Sequence, residues 1–266
     1  MNNITVIRGS GDVASAVCHL LFRSGYPALI HDQPRPSATR RGMAFCDAFF
    51  DGDAVLEGVQ AHLAADIPEL AAVLDGRERV PVVSLELPRI LEALRPGILV
   101  DARMRKHQHP EVQIGLAPLT IGLGPNFTAG ITVRAAVETG WNDALGYVLW
   151  EGATRPLEGE PQKIAGHARD RYVYAPAAGV FHTSLAIGDA VAAGQEVARI
   201  DGVPLHANIA GSLRGLTHDG APVAEKAKVI EVDPRGPRAQ VRGIGERPGR
   251  IARGVLEAVR AWESGL

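Results

Sequence analysis

Short apolar runs alternate with amphipathic segments over the first hundred residues of the chain. The runs ITVI, PALI, VPVV and ILVD have the length and β-branched content of buried strands in a parallel sheet. Between the first two runs, apolar residues recur at the spacing of one helix face: Val13, Ala16, Val17, Leu20 and Leu21. The alternation predicts a Rossmann-like parallel sheet with flanking helices over residues 1–118.

A glycine loop joins the first predicted strand to the first predicted helix. Gly9, Gly11 and Ala14 have the G-x-G-x-x-A spacing of dinucleotide-binding turns, and an acid follows the second strand at the expected distance. The N–H groups and partial positive charge of a helix N-terminus favour a phosphate there. The ligand contacts predicted in this loop and strand end are Gly9, Ser10, Gly11, Asp12 and Asp32. Asp12 has an alternative role as the helix N-cap.

Further candidate ligand contacts lie outside this loop. Arg40 and Arg41 follow the second strand and would neutralise a phosphate, although a solvated basic loop explains them equally well. Asp101 ends a predicted parallel strand, where ligand sites of open α/β sheets gather. A second glycine-rich stretch contributes Gly122, Gly124 and Asn126, which alternatively form an ordinary turn.

Metal and thiol chemistry are poorly supported by the sequence. His107 and His109 are two residues apart but have no third ligand at a recognisable spacing, so a polar loop is the preferred interpretation and no metal site is predicted. Cys18 and Cys46 are the only cysteines, which fits a reducing cytoplasm better than a disulfide framework. No catalytic residue can be assigned.

The last third of the chain contains an internal repeat with an offset of about 32 residues. Ala175, Gly179 and Gly188 recur as Ala207, Gly211 and Gly220. The repeat resembles biotinyl and lipoyl barrel-sandwich domains, but the hairpin RIDGVPLHA has no carrier lysine. We therefore predict an all-β barrel-sandwich domain over 169–235, a β-rich connecting segment over 119–168, and a C-terminal strand and helix over 236–266 that dock back onto the first domain.

Composition limits the possible partners. A net charge of −2 gives no basic field for nucleic acid or an anionic membrane, and 5% aromatic residues provide little stacking surface. No apolar run approaches the length of a membrane helix, and no signal peptide precedes the first strand. These features predict a cytoplasmic protein without nucleic acid or membrane partners; a homo-oligomer remains open.

Several stretches together resemble one known family. VIRGSGDVAS, RPSATRRGMAFCDAFFDG, LTIGLGPNFTAGITVRAAVET, APAAGVF and GSLRGL resemble the YqeB-type accessory family associated with selenium-dependent molybdenum hydroxylases. This resemblance implies a maturation role similar to that of the XdhC-type Rossmann chaperones. It also implies a molybdenum hydroxylase client as a partner.

Three functions follow from the residues and the resemblance together. The first is an accessory factor that binds a nucleotide or a molybdopterin-type phosphorylated ligand, with the molybdenum cofactor as the candidate. The second is an NAD(P)-dependent oxidoreductase, for which Tyr147, His107 and Asp101 are proton donors only by elimination. The third is a non-catalytic scaffold.

Overall fold

A computed structural model describes residues 3–105, 108–157 and 161–265. Its α-helices are α1 (Asp12–Arg23), α2 (Ala48–Asp51), α3 (Ile67–Gly76), α4 (Leu87–Leu94) and α5 (Glu246–Glu263). The strands of the amino-terminal two thirds are β1 (Thr5–Arg8), β2 (Ala28–His31), β3 (Asp53–Leu56), β4 (Val59–Leu63), β5 (Val80–Val83), β6 (Ile98–Asp101), β7 (Leu119–Leu123), β8 (Thr128–Ala129), β9 (Ala135–Val137), β10 (Val148–Leu149) and β11 (Gly152–Ala153). The remaining strands are β12 (Tyr172–Tyr174), β13 (Gly179–His182), β14 (Ala190–Val191), β15 (Glu196–Ile200), β16 (Val203–His206), β17 (Gly211–Leu216), β18 (Ala221–Val223) and β19 (Lys228–Asp233).

Nine of these strands form one large sheet. Their order is β10-β9-β7-β6-β1-β2-β5-β4-β3. The seven strands from β9 to β4 are parallel, whereas β10 and β3 at the two edges run antiparallel to their neighbours. The sheet is therefore mixed, with its parallel part at the centre.

Helices cover both faces of the large sheet because its central strands are apolar on both sides. Ile7, Ile30 and Val100 face α1 and α5, and the alternate residues of the same strands face α3 and α4. Helices α1 and α5 lie side by side. The hydroxyl of Tyr26, just after α1, donates to the carboxylate of Glu263 at the end of α5 (2.8 Å). The two helices therefore run in the same direction and begin at the same end of the strands of the large sheet.

The C-terminal strands form two four-stranded antiparallel sheets, ordered β12-β19-β17-β14 and β16-β15-β13-β18. Each sequence repeat contributes three strands, and each exchanges its middle strand with the other: β14 pairs with β17, and β18 pairs with β13. The 32-residue repeat seen in the sequence thus corresponds to two intertwined halves.

The fold class predicted from the sequence is wrong. The large sheet is not a Rossmann-like parallel sheet, since both of its edge strands are antiparallel. The C-terminal region contributes two separate antiparallel sheets to a mixed α/β fold rather than a biotinyl- or lipoyl-like barrel-sandwich.

One tight turn explains the antiparallel edge at β3. The stretch AVLEGVQAHL forms a hairpin of β3 and β4. Glu57 and Gly58 form the two-residue loop of this hairpin. Both have positive φ (44° and 79°), as a tight turn between two antiparallel strands requires. A two-residue connection can join only antiparallel strands.

None of the described helices combines the length and apolar character needed to cross a membrane.

Candidate anion-binding recess

The glycine loop of β1 and α1 adopts a turn that needs its first glycine. Gly9 has a φ of 104°, and a Cβ there would press against the backbone of Ala102 and Arg103. Gly11, not Asp12, is the N-cap of α1, and no side chain caps this helix. A Cβ on Gly11 would meet no atom within 4 Å, so the space beside the start of α1 is open.

The acid predicted to hold a ribose is engaged within the protein. Asp32 accepts a hydrogen bond from the hydroxyl of Ser10 (2.7 Å) and another from the backbone of Gln33 (2.8 Å). The loop between β1 and α1 is thereby tied to the end of β2. The two residues join parts of the chain rather than facing an open dinucleotide crevice.

Arg40 joins the start of α1 to the C-terminal sheets. Its guanidinium donates to Asp12 (2.9 Å) and, through two nitrogens, to both carboxylate oxygens of Glu231 (2.9 and 3.0 Å). Such a forked pair is the strongest arrangement of guanidinium and carboxylate. Arg41 points elsewhere, donating to Asp47 (3.0 Å) and to the carbonyl of Leu216 (2.8 Å).

Glu231 is the centre of a larger charged cluster. Its fully buried carboxylate also accepts from Arg171 (3.0 Å) and from Lys228 (3.1 Å). These cations keep the pKa of Glu231 far below its ordinary value, even though burial acts in the opposite direction. Lys228 is the cation nearest to Glu231 in the sequence. Its pKa is lowered because burial and the nearby Arg40 both disfavour its charge.

Positive charge exceeds negative charge in this cluster. Its carboxylates are Asp12, Glu231 and Asp233. Its cations, which we call the cationic cluster, are Arg40, Arg171, Arg214, Lys228, Arg235 and Arg247. Among the residues that the structure describes, six cations thus face three carboxylates, and burial makes an uncompensated charge costly.

Several donors of the cluster have no acceptor among the described residues. Arg171 is only 2% exposed, yet its Nε is buried without a hydrogen bond, and the same holds for Nε of Arg214. Arg247, in the first turn of α5, is partly exposed and donates through Nε to the carbonyl of Thr139 (2.7 Å), and no described residue accepts a hydrogen bond from its terminal nitrogens. Burial lowers the pKa of Arg247, and the nearby Arg40 lowers it further.

Solvent reaches the middle of the cluster. The side chains of Asp12, Arg40 and Lys228 retain between 22 and 31% of their exposure, although burial is the leading influence on the pKa of each. The cationic recess is our name for this partly exposed part of the cluster. It comprises Gly11, Asp12, Arg40, Lys228 and Arg247, each of which is partly exposed.

The remaining residues predicted from the sequence lie away from the recess. Asp101 is buried at the end of β6 and accepts hydrogen bonds from Arg103 (2.9 Å) and Gln113 (2.6 Å). The phenyl ring of Phe127 fills the space above Gly122. Gly124 has a φ of 121°, and the amide of Asn126 donates to the carbonyl of Gln108 (3.3 Å).

The space beside this second glycine stretch is nearly closed. A cavity of about 10 Å³ lies between Met104, Leu123 and Phe127, which is room for about one water. Within the described ranges, no group of three or more histidines, cysteines or acids is placed to hold a metal. His107 lies outside the described residues.

Sequence reasoning identified Asp12 and Arg40 but missed their partners. Glu231 and Lys228 lie in the strand KVIEVD, where a charged side chain gives no signal of what it faces. Arg40 and Glu231 are 191 positions apart. The only available signal was an acid in the middle of an otherwise apolar strand, which needs a buried cation as its partner.

Comparison with solved structures gives only distant likeness. The ectoine utilization protein EutE (DoeB) from Ruegeria pomeroyi, with product bound, is 13% identical at a TM-score of 0.24, covering 86% of this chain and 57% of that one. A succinylglutamate desuccinylase from Silicibacter sp. TM1040 is 12% identical at a TM-score of 0.25, covering 87% and 84%. At such scores the likeness supports no activity for this chain. No model of a protein family matches it.

A curated protein gives a stronger similarity. The chain is 36% identical over 258 residues to the uncharacterized protein YqeB of Escherichia coli (strain K12). The alignment covers 97% of this chain and 47% of that protein, so the chain spans about half of the relative's length. This similarity supports the YqeB resemblance drawn from the sequence. A role with selenium-dependent molybdenum hydroxylases is not shown.

The predicted function as a nucleotide- or molybdopterin-binding accessory factor is wrong. The structure gives the physical reason. Asp32 is bound to Ser10, Arg40 is held by Asp12 and Glu231, and Arg41 faces Asp47, so the groups assigned to a phosphorylated cofactor are bound within the protein.

Proposed function

We propose that this protein binds a small, multiply charged oxyanion in the cationic recess. The observation that carries the proposal is that, among the described residues, six cations surround three carboxylates in a cluster that solvent reaches. A buried cluster with uncompensated charge is costly to maintain. A bound anion supplies the missing charge and the missing hydrogen-bond acceptors together.

The start of two helices supports the same proposal. α1 and α5 are parallel, and their first residues lie at the same edge of the sheet beside the recess. Their N-caps are Gly11 and Gly245, and neither helix has a side-chain cap. The positive dipole ends of both helices therefore add to the attraction for an anion, while at α1 the N–H of Val13 already donates to the carboxylate of Asp12 (3.1 Å).

The donors of the recess define the chemical class of the ligand. The terminal nitrogens of Arg247 form a planar fork, and Lys228 adds an ammonium that is half-buried above the ring of Tyr172 (4.6 Å). Guanidinium forks recognise carboxylates and phosphates in the same way. The ligand is therefore a small oxyanion with two or three negative charges, either a polycarboxylate or a phosphate.

Calorimetric titration at constant ionic strength tests the proposal. We expect the native protein to bind at least one of citrate, succinate and inorganic phosphate with a Kd below about 1 mM. Because a hydrogen bond to a charged group contributes about 1.5–3 kcal/mol, Arg247→Gln is expected to weaken that binding tenfold or more. The anion that binds most tightly distinguishes a polycarboxylate ligand from a phosphate.

Arg253→Gln is the matched control, because Arg253 lies on the same helix with an exposed side chain. Its affinity should equal that of the unmodified protein. Circular dichroism of both variants establishes that α5 is intact. Absence of saturable binding by all three anions, or equal affinities of Arg247→Gln and Arg253→Gln, would refute the proposal.

A further inference from the structure

Three arginines converge on one carboxylate on the other face of the large sheet. Arg8 ends β1, and its neighbour in register is Asp101 at the end of β6. The carboxylate of Glu111 accepts from Nη1 of Arg8 (2.8 Å), and it also accepts from Arg103 and Arg105. Arg8 shares its side of β1 with Val6, which packs against α3 and α4, so this cluster is separate from the cationic recess.

The arginines are held in place by other groups than Glu111. Asp101, which is buried, accepts from Nε of Arg103 (2.9 Å) and from the amide of Gln113 (2.6 Å). The amide oxygen of Gln113 in turn accepts from Arg8 (2.9 Å). Arg8 and Arg103 would therefore keep their positions if Glu111 were absent, which is what a preorganised binding site requires.

Glu111 differs from the residues that hold the arginines. Its side chain is 44% exposed, whereas those of Asp101 and Gln113 are buried. A side chain at the surface can rotate into solvent without any movement of the backbone. After that rotation three cations would face only Asp101, and Nε of Arg8 is already buried without a hydrogen-bond acceptor.

We propose that Arg8, Arg103 and Arg105 form a second anion site, specific for a carboxylate, which Glu111 occupies as an internal ligand. An external small carboxylate displaces the Glu111 side chain into solvent and takes its hydrogen bonds. The carboxylate class follows from the group already seated there, since Glu111 itself shows that the three guanidinium groups accommodate planar carboxylate geometry.

Competition from Glu111 determines the behaviour of the native protein. A tethered carboxylate acts at a high effective concentration, so an external monocarboxylate binds weakly while Glu111 is present. Removal of that side chain without loss of the arginines should reveal the site. Acetate is the appropriate probe, because it has the same functional group as the glutamate side chain.

The test is a titration of Glu111→Ala with acetate. The chemical shifts of labelled arginine side chains and the melting temperature are measured at each acetate concentration. We expect Glu111→Ala to bind acetate at least tenfold more tightly than the native protein. Glu92→Ala, which removes an exposed glutamate from α4, is the matched control and should behave as the native protein does.

Two double variants establish where acetate binds. Adding Arg103→Gln to Glu111→Ala should abolish the gain in acetate affinity. If that double variant does not fold, Arg105→Gln replaces Arg103→Gln, because Arg105 is more exposed than Arg103. Adding Arg247→Gln should leave the gain unchanged, which separates this site from the cationic recess. Equal acetate affinity of Glu111→Ala and Glu92→Ala, or a gain that survives loss of the arginines, would overturn the inference.

Discussion

Replacement of Glu231 by glutamine should destabilise the protein strongly. Glu231 is fully buried and accepts hydrogen bonds from three cations: Arg40 through two nitrogens, Arg171 and Lys228. Glutamine keeps the size of the side chain but removes its charge and replaces one acceptor oxygen with a donor. Because each oxygen accepts two of the four hydrogen bonds, two of them then become contacts between donors.

The size of the effect follows from burial. Removal of one partner from a buried ion pair costs about 3–5 kcal/mol, because the remaining charge is left uncompensated. Arg171 is buried as deeply as Glu231 and cannot turn towards water, so the upper part of this range applies. A surface pair provides the contrast, since exposed ion pairs contribute about 0–1 kcal/mol.

Urea unfolding at neutral pH measures the difference. The matched control is Glu196→Gln, which removes a carboxylate from an exposed pair with Arg199 (2.7 Å). We expect the free energy of unfolding to fall by about 3–5 kcal/mol for Glu231→Gln and by less than about 1 kcal/mol for the control. Equal effects of the two substitutions would refute the central position assigned to Glu231.

The pH dependence of the same pair of proteins checks the electrostatic origin of the effect. Because the folded protein lowers the pKa of Glu231, this carboxylate stabilises the fold fully above its ordinary pKa of about 4.3. That stabilisation is lost as the pH falls below that value towards the folded pKa. The difference in stability between the native protein and Glu231→Gln should therefore shrink below about pH 4. A difference that stays constant between pH 7 and pH 3 would contradict this origin.

Two further predictions concern packing. Gly122→Ala should lower the free energy of unfolding by about 1–3 kcal/mol, because the added Cβ would overlap the ring of Phe127. Gly76→Ala is the control and should not be destabilising, since a Cβ there meets no atom within 4 Å. Thermal unfolding of the two variants measures the difference. Cys18 and Cys46 are buried and have raised pKa values, so neither thiol should react with an aromatic disulfide reagent until the protein is unfolded. Stoichiometric labelling of the native protein would contradict their burial.

Local pattern predicted the first helix and its neighbours well. The helix face of Val13, Val17 and Leu21 is buried as the spacing indicates, and α1 ends at Arg23, just before Gly25 with its φ of 88°. These features depend on residues within one or two turns of each other. The C-terminal helix with Val255 buried towards the sheet follows from the same kind of periodicity.

Features that depend on distant residues were not predictable in this way. The chain direction of the edge strands depends on the two-residue turn at Glu57 and Gly58, which the continuous apolar alternation concealed. The role of Arg40 depends on Glu231, far along the chain. An arginine in a solvated loop and an arginine that is ion-paired to distant carboxylates have the same local sequence. Only the tertiary structure distinguishes them.

The glycine motif forms the turn that its spacing predicts, and its assignment as a ligand site stays a prediction. Gly9 does adopt the left-handed conformation, and Gly11 does leave open space at the start of α1. The acid at the expected distance, Asp32, binds Ser10 instead of an external hydroxyl. Spacing alone cannot show whether a carboxylate already has a partner within the protein.

Anomalous diffraction from crystals soaked in arsenate shows whether an oxyanion occupies the cationic recess. Arsenate has the shape and charge of phosphate, and its scattering locates the bound ion without ambiguity. We predict a peak within hydrogen-bonding distance of the terminal nitrogens of Arg247 and of Nζ of Lys228, which is lost in Arg247→Gln. Absence of a peak in the recess at saturating arsenate would refute a phosphate-like ligand, and a peak that persists in Arg247→Gln would refute the contacts assigned to Arg247.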